Sequence, residues 1–383
     1  MLKAFKTEIN PTRKQAEKIH QTLGICRYLY NLYLASNFEV YETLGKGFFI
    51  TGFTFDKYVN HVVKKELKWI NECGAKARKQ ALMNAERAFK NYMEGKTNRP
   101  RFKKKRQQKV KAYFPKNAKG DWTIWRHKLQ VPTIGVVKLK EKGYLPLNAK
   151  VNSGTISYKA GRYYVSVLVD LTDKEVKKPQ GEGIGIDLGI KELAIMSNGV
   201  VKSNINKTPK IRKLNRKLRR EQRRLSRKYE TKKKRGEKPA AYSANIEKQI
   251  VKIQRIYQRL MNIRVDYENK IISKIVKRKP SFIVLEDLNV RGMMKNRHLS
   301  KSIAAQRLSY FRIKLTMKAK QLGIEMRIVD KFYPSSKKCS QCGRIKNDLK
   351  LKDRIYQCEC GFEIDRDLNA AINLKNATEY KIA

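Results

Sequence analysis

The chain has 383 residues and carries 88 Lys+Arg against 34 Asp+Glu, a net charge of +54. That excess points to a polyanionic partner, because each phosphate neutralised by a cation releases counterions and adds affinity. No apolar run approaches the roughly 18 residues a membrane helix needs, and no signal-peptide core is present, so a membrane partner is not expected and a cytosolic setting is. The length suits about two to four domains.

Residues 1–10 (MLKAFKTEIN) read as a strand closed by Asn10-Pro11, with a helix expected from Thr12. The segments GICRYLYNLYLASNFEVYE (24–42) and MNAERAFKNYM (83–93) repeat apolar residues at helical spacing, which predicts a small helical bundle over 11–96. Tyr28, Tyr30, Tyr33, Phe89 and Tyr92 are expected in its core rather than as base-stacking platforms.

From Asn98 the texture changes. NRPRFKKKRQQKVKAYFPK (98–116) sets Arg101, Lys103, Lys104, Lys105 and Arg106 among aromatic residues, a mix that supplies backbone contact and stacking to a nucleic acid. A plain solvated face is the competing reading. Short strand-like runs follow, DWTIW, KLQVPTIGVVKLK and SGTISYKAGRYYVSVLVDL, separated by Gly and Pro. They predict a small β domain over 97–180, completed by the strand at 1–10.

Between Lys207 and Arg235 there are 16 Lys/Arg in 29 residues, yet Ile211, Leu214, Leu218 and Leu225 keep helical spacing. This is an amphipathic helix with a cationic outer face bearing Arg212, Lys213, Arg216, Arg219, Arg220, Arg223 and Arg224. Cations crowded on one helix repel, and an anion lying along it relieves that repulsion, so a nucleic-acid contact is expected here. Ile246, Ile250, Ile253, Tyr257 and Leu260 predict a second, antiparallel helix packed on the first, a hairpin over 205–275.

Three apolar or helix-starting segments carry acids: Asp187 in GIGIDLGIKELAIMSNG (183–199), Glu286 in SFIVLEDLNV (281–290), and Asp365 and Asp367 in DRDLNAAINL (365–374). Acids on two strands and a helix start meet only through the fold, and a cluster of like charges costs free energy unless cations bind it. Two Mg²⁺ (or Mn²⁺) ions about 4 Å apart, held by such carboxylates, are a standard device for cleaving phosphodiesters. The bland alternative makes Asp187 a strand-end cap and the others surface acids.

Of six cysteines, Cys26 and Cys73 are isolated in helical segments and are expected to be small buried apolar groups. Cys339-x-x-Cys342 and Cys358-x-Cys360, each pair followed by Gly, match one structural Zn²⁺ in a tetrahedral thiolate site with no position left open for catalysis. A redox pair is the rival. The four histidines have no metal-ligand spacing.

GIDLGIKELAIMSNG, VLEDLNV and DRDLNAAINL, in that order, resemble the three RuvC motifs of the TnpB family, encoded by bacterial and archaeal insertion sequences and similar to the type V CRISPR effectors. GICRYLYN resembles the family's N-terminal helical motif, and YPSSKKCSQCG with YQCECG its zinc insertion, so the resemblance spans essentially the whole chain. It implies an α+β multidomain protein. A ribonuclease-H-like RuvC domain (181–334 and 361–383) would carry a zinc-ribbon-like insertion at 335–360, beside a helical recognition domain (11–96) and a β-barrel-like wedge domain (1–10 and 97–180).

The implied catalytic and metal-binding acids are Asp187, Glu286 and Asp367, the last preferred over Asp365 because the motif sets the acid just before the x-Asn-Ala turn. The implied activity is RNA-guided cleavage of double-stranded DNA beside a short target-adjacent motif. The guide RNA would derive from the transposon end, with one protomer per RNA, in the cytoplasm of a prokaryote. A nuclease-inactive RNA-guided repressor, or a transposase accessory protein, is the alternative. The stretch Arg291 to Ser302 reads equally as a flexible lid or a plain surface loop.

Overall fold

The structure is a computed structural model that describes residues 2–45, 47–105, 111–116, 121–147, 149–171, 176–236, 243–350 and 353–383. The chain divides into two units, Met1–Asp173 and Lys174–Ala383.

The first unit begins with β1 (Leu2–Asn10), after which Pro11 ends the ladder and Thr12 caps α1 (Arg13–Leu44). The cap is reciprocal: the Gln15 amide donates to Thr12 Oγ1 at 3.3 Å and the Thr12 amide to Gln15 Oε1 at 3.0 Å, so two otherwise unpaired donors are satisfied. Short helices α2 (Gly52–Tyr58) and α3 (Lys64–Glu66) lead to α4 (Ala75–Met93). Small residues Ala77, Ala81 and Ala85 on the buried face of α4 allow close packing against Cys26, Leu29 and Tyr33 of α1.

Five further strands follow: β2 (Lys111–Pro115), β3 (Lys128–Val131), β4 (Gly135–Leu139), β5 (Lys150–Lys159) and β6 (Arg162–Asp170). With β1 they form one antiparallel sheet in the order β2-β5-β6-β1-β4-β3. Of the expected run DWTIW, Ile124 makes only an isolated bridge to Leu129. Alternation along β6 buries Val165, Val167 and Val169 in a core shared with α1 and α4. Tyr30, Tyr33 and Phe89 are buried there, and so are Cys26 and Cys73. Tyr28 packs half-buried against the same core, where it meets the half-exposed Trp69 edge-on at 5.0 Å, and the two line an open cavity of about 390 Å³.

The second unit is built on β7 (Ile184–Asp187), β8 (Glu192–Met196) and β9 (Val201–Ser203), a meander, followed by the basic hairpin α5 (Pro209–Lys234) and α6 (Ala244–Lys277). Then come β10 (Phe282–Glu286), α7 (Val290–Met293), α8 (Ser300–Gln306), α9 (Leu308–Lys320) and β11 (Glu325–Val329). A hairpin of β12 (Ile355–Gln357) and β13 (Glu363–Asp365), the helix α10 (Arg366–Lys375) and β14 (Lys381–Ile382) complete the chain. The sheet order is β14-β11-β10-β7-β8-β9, with β10 parallel to both β7 and β11. One face packs on Ile271, Ile275, Phe311 and Leu315 from α6 and α9; the other face, through Val284 and Val329, packs on Leu374 of α10. A sheet covered on both faces explains why FIVL and GIGI are continuously apolar.

The hairpin packs as its spacing predicts along α5, where Ile211, Leu214 and Leu218 meet Ile253, Ile256 and Leu260. Tyr257 is a correction. It lies 51% exposed with its hydroxyl accepting from Gln222 Nε2 at 2.9 Å, and Ile256 takes the buried place. Gln249 takes another, donating to the buried Glu221 carboxylate at 2.8 Å and its carbonyl at 2.9 Å. The segment Arg291 to Ser302 is helical at its two ends, as the rest of α7 and the start of α8, with turns over 294–299 between them and Asn289 capping α7 through Gly292.

Candidate active site and nucleic-acid-facing surfaces

The acid in the GIGID strand is explained by side-chain alternation. Ile184 and Ile186 point to the α6/α9 face, so Gly185 and Asp187 point to α10. Only glycine fits at 185: a Cβ there would lie 2.1 Å from the Ala371 carbonyl oxygen and 2.5 Å from the Lys375 nitrogen of α10. The parallel register pairs Val284 with Gly185 and Leu285 with Ile186, and one residue further sets Glu286 beside Asp187 at neighbouring strand ends, about 4.8 Å apart across the ladder.

Val284 packs against Leu374, so Glu286, two residues on, turns to the same α10 face. Asp367 sits in the first turn of α10. The structure thus brings together the three acids inferred from sequence.

Electrostatics report the same convergence. Burial, then the neighbouring Asp367 and Glu286 carboxylates, push Asp187 up from an ordinary 3.8 to about 7, against a smaller pull from Arg366. Burial, then Asp287, push Glu286 up to about 7. Among the described residues only the four zinc-motif cysteines bring potential ligand atoms within 4.8 Å of one another, so the acids are gathered less tightly than the thiols. Asp365 is occupied otherwise: its Oδ1 accepts from the Asp367 and Leu368 amides, both at 3.0 Å, as the cap of α10. Asp287 is ion-paired with Arg312. An all-oxygen set of neighbouring acids, with Asp187 half-buried, suits a hard divalent cation.

The second donor set is sulfur. Cys339 and Cys360 Sγ lie 3.8 Å apart, Cys342 and Cys358 Sγ 3.5 Å, and all four fall within 4.8 Å. Tetrahedral thiolates at a zinc–sulfur distance of 2.3 Å would sit about 3.8 Å from each other, so the cluster fits a structural zinc. The short C-x-C pair is no obstacle. Each knuckle turns through a glycine in the left-handed region, Gly343 at φ 79° and Gly361 at φ 83°, whose amide donates to the carbonyl of the first cysteine of its pair, Cys339 or Cys358, at 3.0 Å.

Three family models match the chain. One described as "Helix-turn-helix domain", of the IS605 OrfB proteins, covers 1–46; one described as "Probable transposase" covers 166–297; and "Cas12f1-like, TNB domain" covers 309–374. Over 1–46 the structure has a strand and one unbroken helix. A Streptomyces pristinaespiralis protein, named as a candidate RNA-guided DNA endonuclease, is 29% identical over 97% of this chain and 88% of its own length. Escherichia coli (strain K12) InsQ, named in the same way, is 28% identical over 100% of this chain and 94% of its own. TnpB-like protein L770 of Acanthamoeba polyphaga mimivirus is 26% identical over 96% of this chain.

The chain is thus similar to TnpB-like proteins over nearly its whole length.

Its fold is also that of Cas12f1. A cryo-EM structure of a Cas12f1–sgRNA–target DNA complex superposes with a TM-score of 0.56 at 16% identity, covering 100% of this chain and 99% of the other.

Among the expected cationic contacts, Arg212, Lys213, Arg216, Arg219, Arg220, Arg223 and Arg224 all stand exposed on α5, as do Arg101, Lys104 and Lys105 on their loop. Lys103 is set apart. Its Nζ lies 3.3 Å from the centre of the Tyr30 ring, its backbone is tied to Asn31 at 2.8 and 3.0 Å, and burial lowers its ammonium to about 8. Arg106 lies outside the described residues.

Two residues that sequence reasoning passed over join the sites. Asn369 and Asn373, one turn apart on α10, are buried and donate to the Lys338 carbonyl at 2.7 and 2.6 Å; Asn373 also donates to the Ser335 carbonyl at 2.8 Å. Asn369 Oδ1 accepts from the Ser340 amide at 3.1 Å. The helix carrying Asp367 is thereby bolted to the first zinc knuckle. Asparagines at i and i+4 on the apolar face of DRDLNAAINL were the available signal, since a buried amide needs partners.

Proposed function

We propose that the protein is an RNA-guided DNA endonuclease of an insertion sequence, with Asp187, Glu286 and Asp367 as its catalytic acids. The sheet order β9-β8-β7-β10-β11, with a meander followed by two parallel strands, supports the ribonuclease-H-like RuvC reading of the second unit. The observation that carries the proposal is electrostatic. Burial first, and then the nearby Asp367 and Glu286 carboxylates, raise the half-buried Asp187 to about 7.

Asp187 and Glu286, each raised to about 7, hold protons near neutrality that a divalent cation must displace, so ion uptake is coupled to proton release. Two Mg²⁺ or Mn²⁺ ions, if held there by Asp187, Glu286 and Asp367, would supply an activated water and stabilise the leaving oxygen of the phosphodiester. The zinc knuckle, fixed through Asn369 and Asn373, holds the start of α10 and with it Asp367. The exposed cations of α5 and of Arg101, Lys104 and Lys105 bind nucleic-acid phosphates. A guide RNA from the transposon end pairs with target DNA next to a short adjacent duplex motif, one protomer per RNA.

The test combines the protein, its co-purified RNA and a plasmid bearing the matching target with Mg²⁺. Linear product is expected, and its loss in Asp187→Ala assigns cutting to this site. Binding of the plasmid with no cutting by the unaltered protein would instead favour the repressor reading.

A further inference from the structure

Just past Glu286, at the end of β10, lies a cavity of about 330 Å³, lined by Asn289, Arg291, Ser309, Arg312 and Lys331 with Asp287 as its acid. Asp287 is engaged by Arg312, and its backbone amide donates to the Val329 carbonyl at 2.9 Å, which pins the rim to the end of β11. Arg291 and Lys331 remain exposed and point no charge at any acid in the pocket's lining. The location is informative: β11 pairs with β10 so that Val329 lies opposite Glu286. Lys331 therefore leaves the sheet one strand beyond the acids, at the carboxyl ends of the strands where open sheets bind ligands. Next to it Phe332 is 81% exposed, its ring 4.6 Å from the Lys331 ammonium. A bare aromatic beside a cation is the pairing that single-stranded nucleic acid uses, base on ring and phosphate on charge.

We infer that this pocket is a phosphate subsite, in which Arg291 and Lys331 bind one phosphodiester of the DNA strand being cut, a nucleotide or two from the scissile bond. Arg312, held by Asp287, gives the pocket a fixed cationic wall. The subsite would set the strand's register across Glu286 and Asp187. It rests on the endonuclease reading above, and the experiment separates the two.

Single-stranded DNA substrates carrying one neutral methylphosphonate at successive positions are cut by the unaltered complex under single-turnover conditions. Cutting of the unmodified strand by that complex checks the endonuclease reading on its own. One position flanking the cut should slow cleavage about tenfold, the effect of losing one charge-assisted contact. In Lys331→Ala and Arg291→Ala the unmodified strand should be cut more slowly, and the penalty at that one position should disappear, while Lys331→Arg restores both. Unchanged thermal unfolding of the variants separates this from misfolding. Retention of the full penalty in both alanine variants, or a penalty that responds only to methylphosphonates placed in the guide RNA, would overturn the assignment.

Discussion

Replacing Asp187 with Asn removes a carboxylate that the fold holds against its own preference, and the consequence for stability can be worked out. In the unfolded chain the carboxyl ionises as the pH passes about 4; in the folded chain it does so only near 7. Between those values the folded state binds more protons, so stability falls as the pH rises, and the whole penalty is present above pH 7. The gap from 3.8 to about 7 is worth about 4 kcal/mol at 1.36 kcal/mol per pH unit. The penalty of Glu286 is common to the variant and the unaltered protein, so it is not added.

An asparagine amide keeps some burial cost, and about 2 kcal/mol of gain is a reasonable net. For a unit of this size that raises Tm by about 4–8 °C. The assay is thermal unfolding in EDTA. Asp187→Asn should melt above the unaltered protein at pH 8, and its advantage should shrink by more than half at pH 5. Adding Mg²⁺ should raise the unaltered protein and leave the variant where it was, because only the former gains a ligand on folding. A variant that melts at or below the unaltered protein at pH 8, or that keeps the same advantage at pH 5, would refute the reasoning.

Asn373→Asp keeps the side-chain shape but sets a carboxylate against the Ser335 and Lys338 carbonyls. Denaturant unfolding should show a loss of about 3 kcal/mol or more, and a colorimetric chelator should strip zinc from the variant faster than from the unaltered protein. Cys342→Ser should lower bound zinc, measured by elemental analysis, from about one ion per chain toward none, with the knuckle becoming sensitive to protease while the sheet of the second unit stays protected. Arg219→Glu with Arg223→Glu should weaken RNA binding and flatten the dependence of log K on log salt by about 1.4 to 1.8, the share of two phosphate contacts. Filter binding across a salt series reads that slope, and an unchanged slope would remove these residues from the interface.

Local periodicity carried far. The Thr12 start of α1, the apolar stripe of α5 and the four-cysteine knuckle are short-range patterns, and backbone sterics, amphipathic spacing and ligand chemistry act within a few residues. Tyr257 and Ile256 show the limit of such patterns. Both sit near the helical stripe, and only the partner helix decided which one to bury. Lys103 looked like its neighbours until Tyr30, seventy-odd residues earlier in the chain, supplied a ring for it to cover.

Sequence alone also supplied the acids as candidates and the family resemblance. The family motif preferred Asp367 to Asp365, while the purpose of the asparagines on α10 went unread. Only the packing of α10 on the sheet shows Asp365 capping the helix through the Asp367 and Leu368 amides, and Asp367 near enough to Asp187 to raise it. The physical reason is reach: charge interaction and hydrogen bonding depend on distance through space, and residues separated by 99 and 81 positions acquire that distance only when the sheet and helix pack.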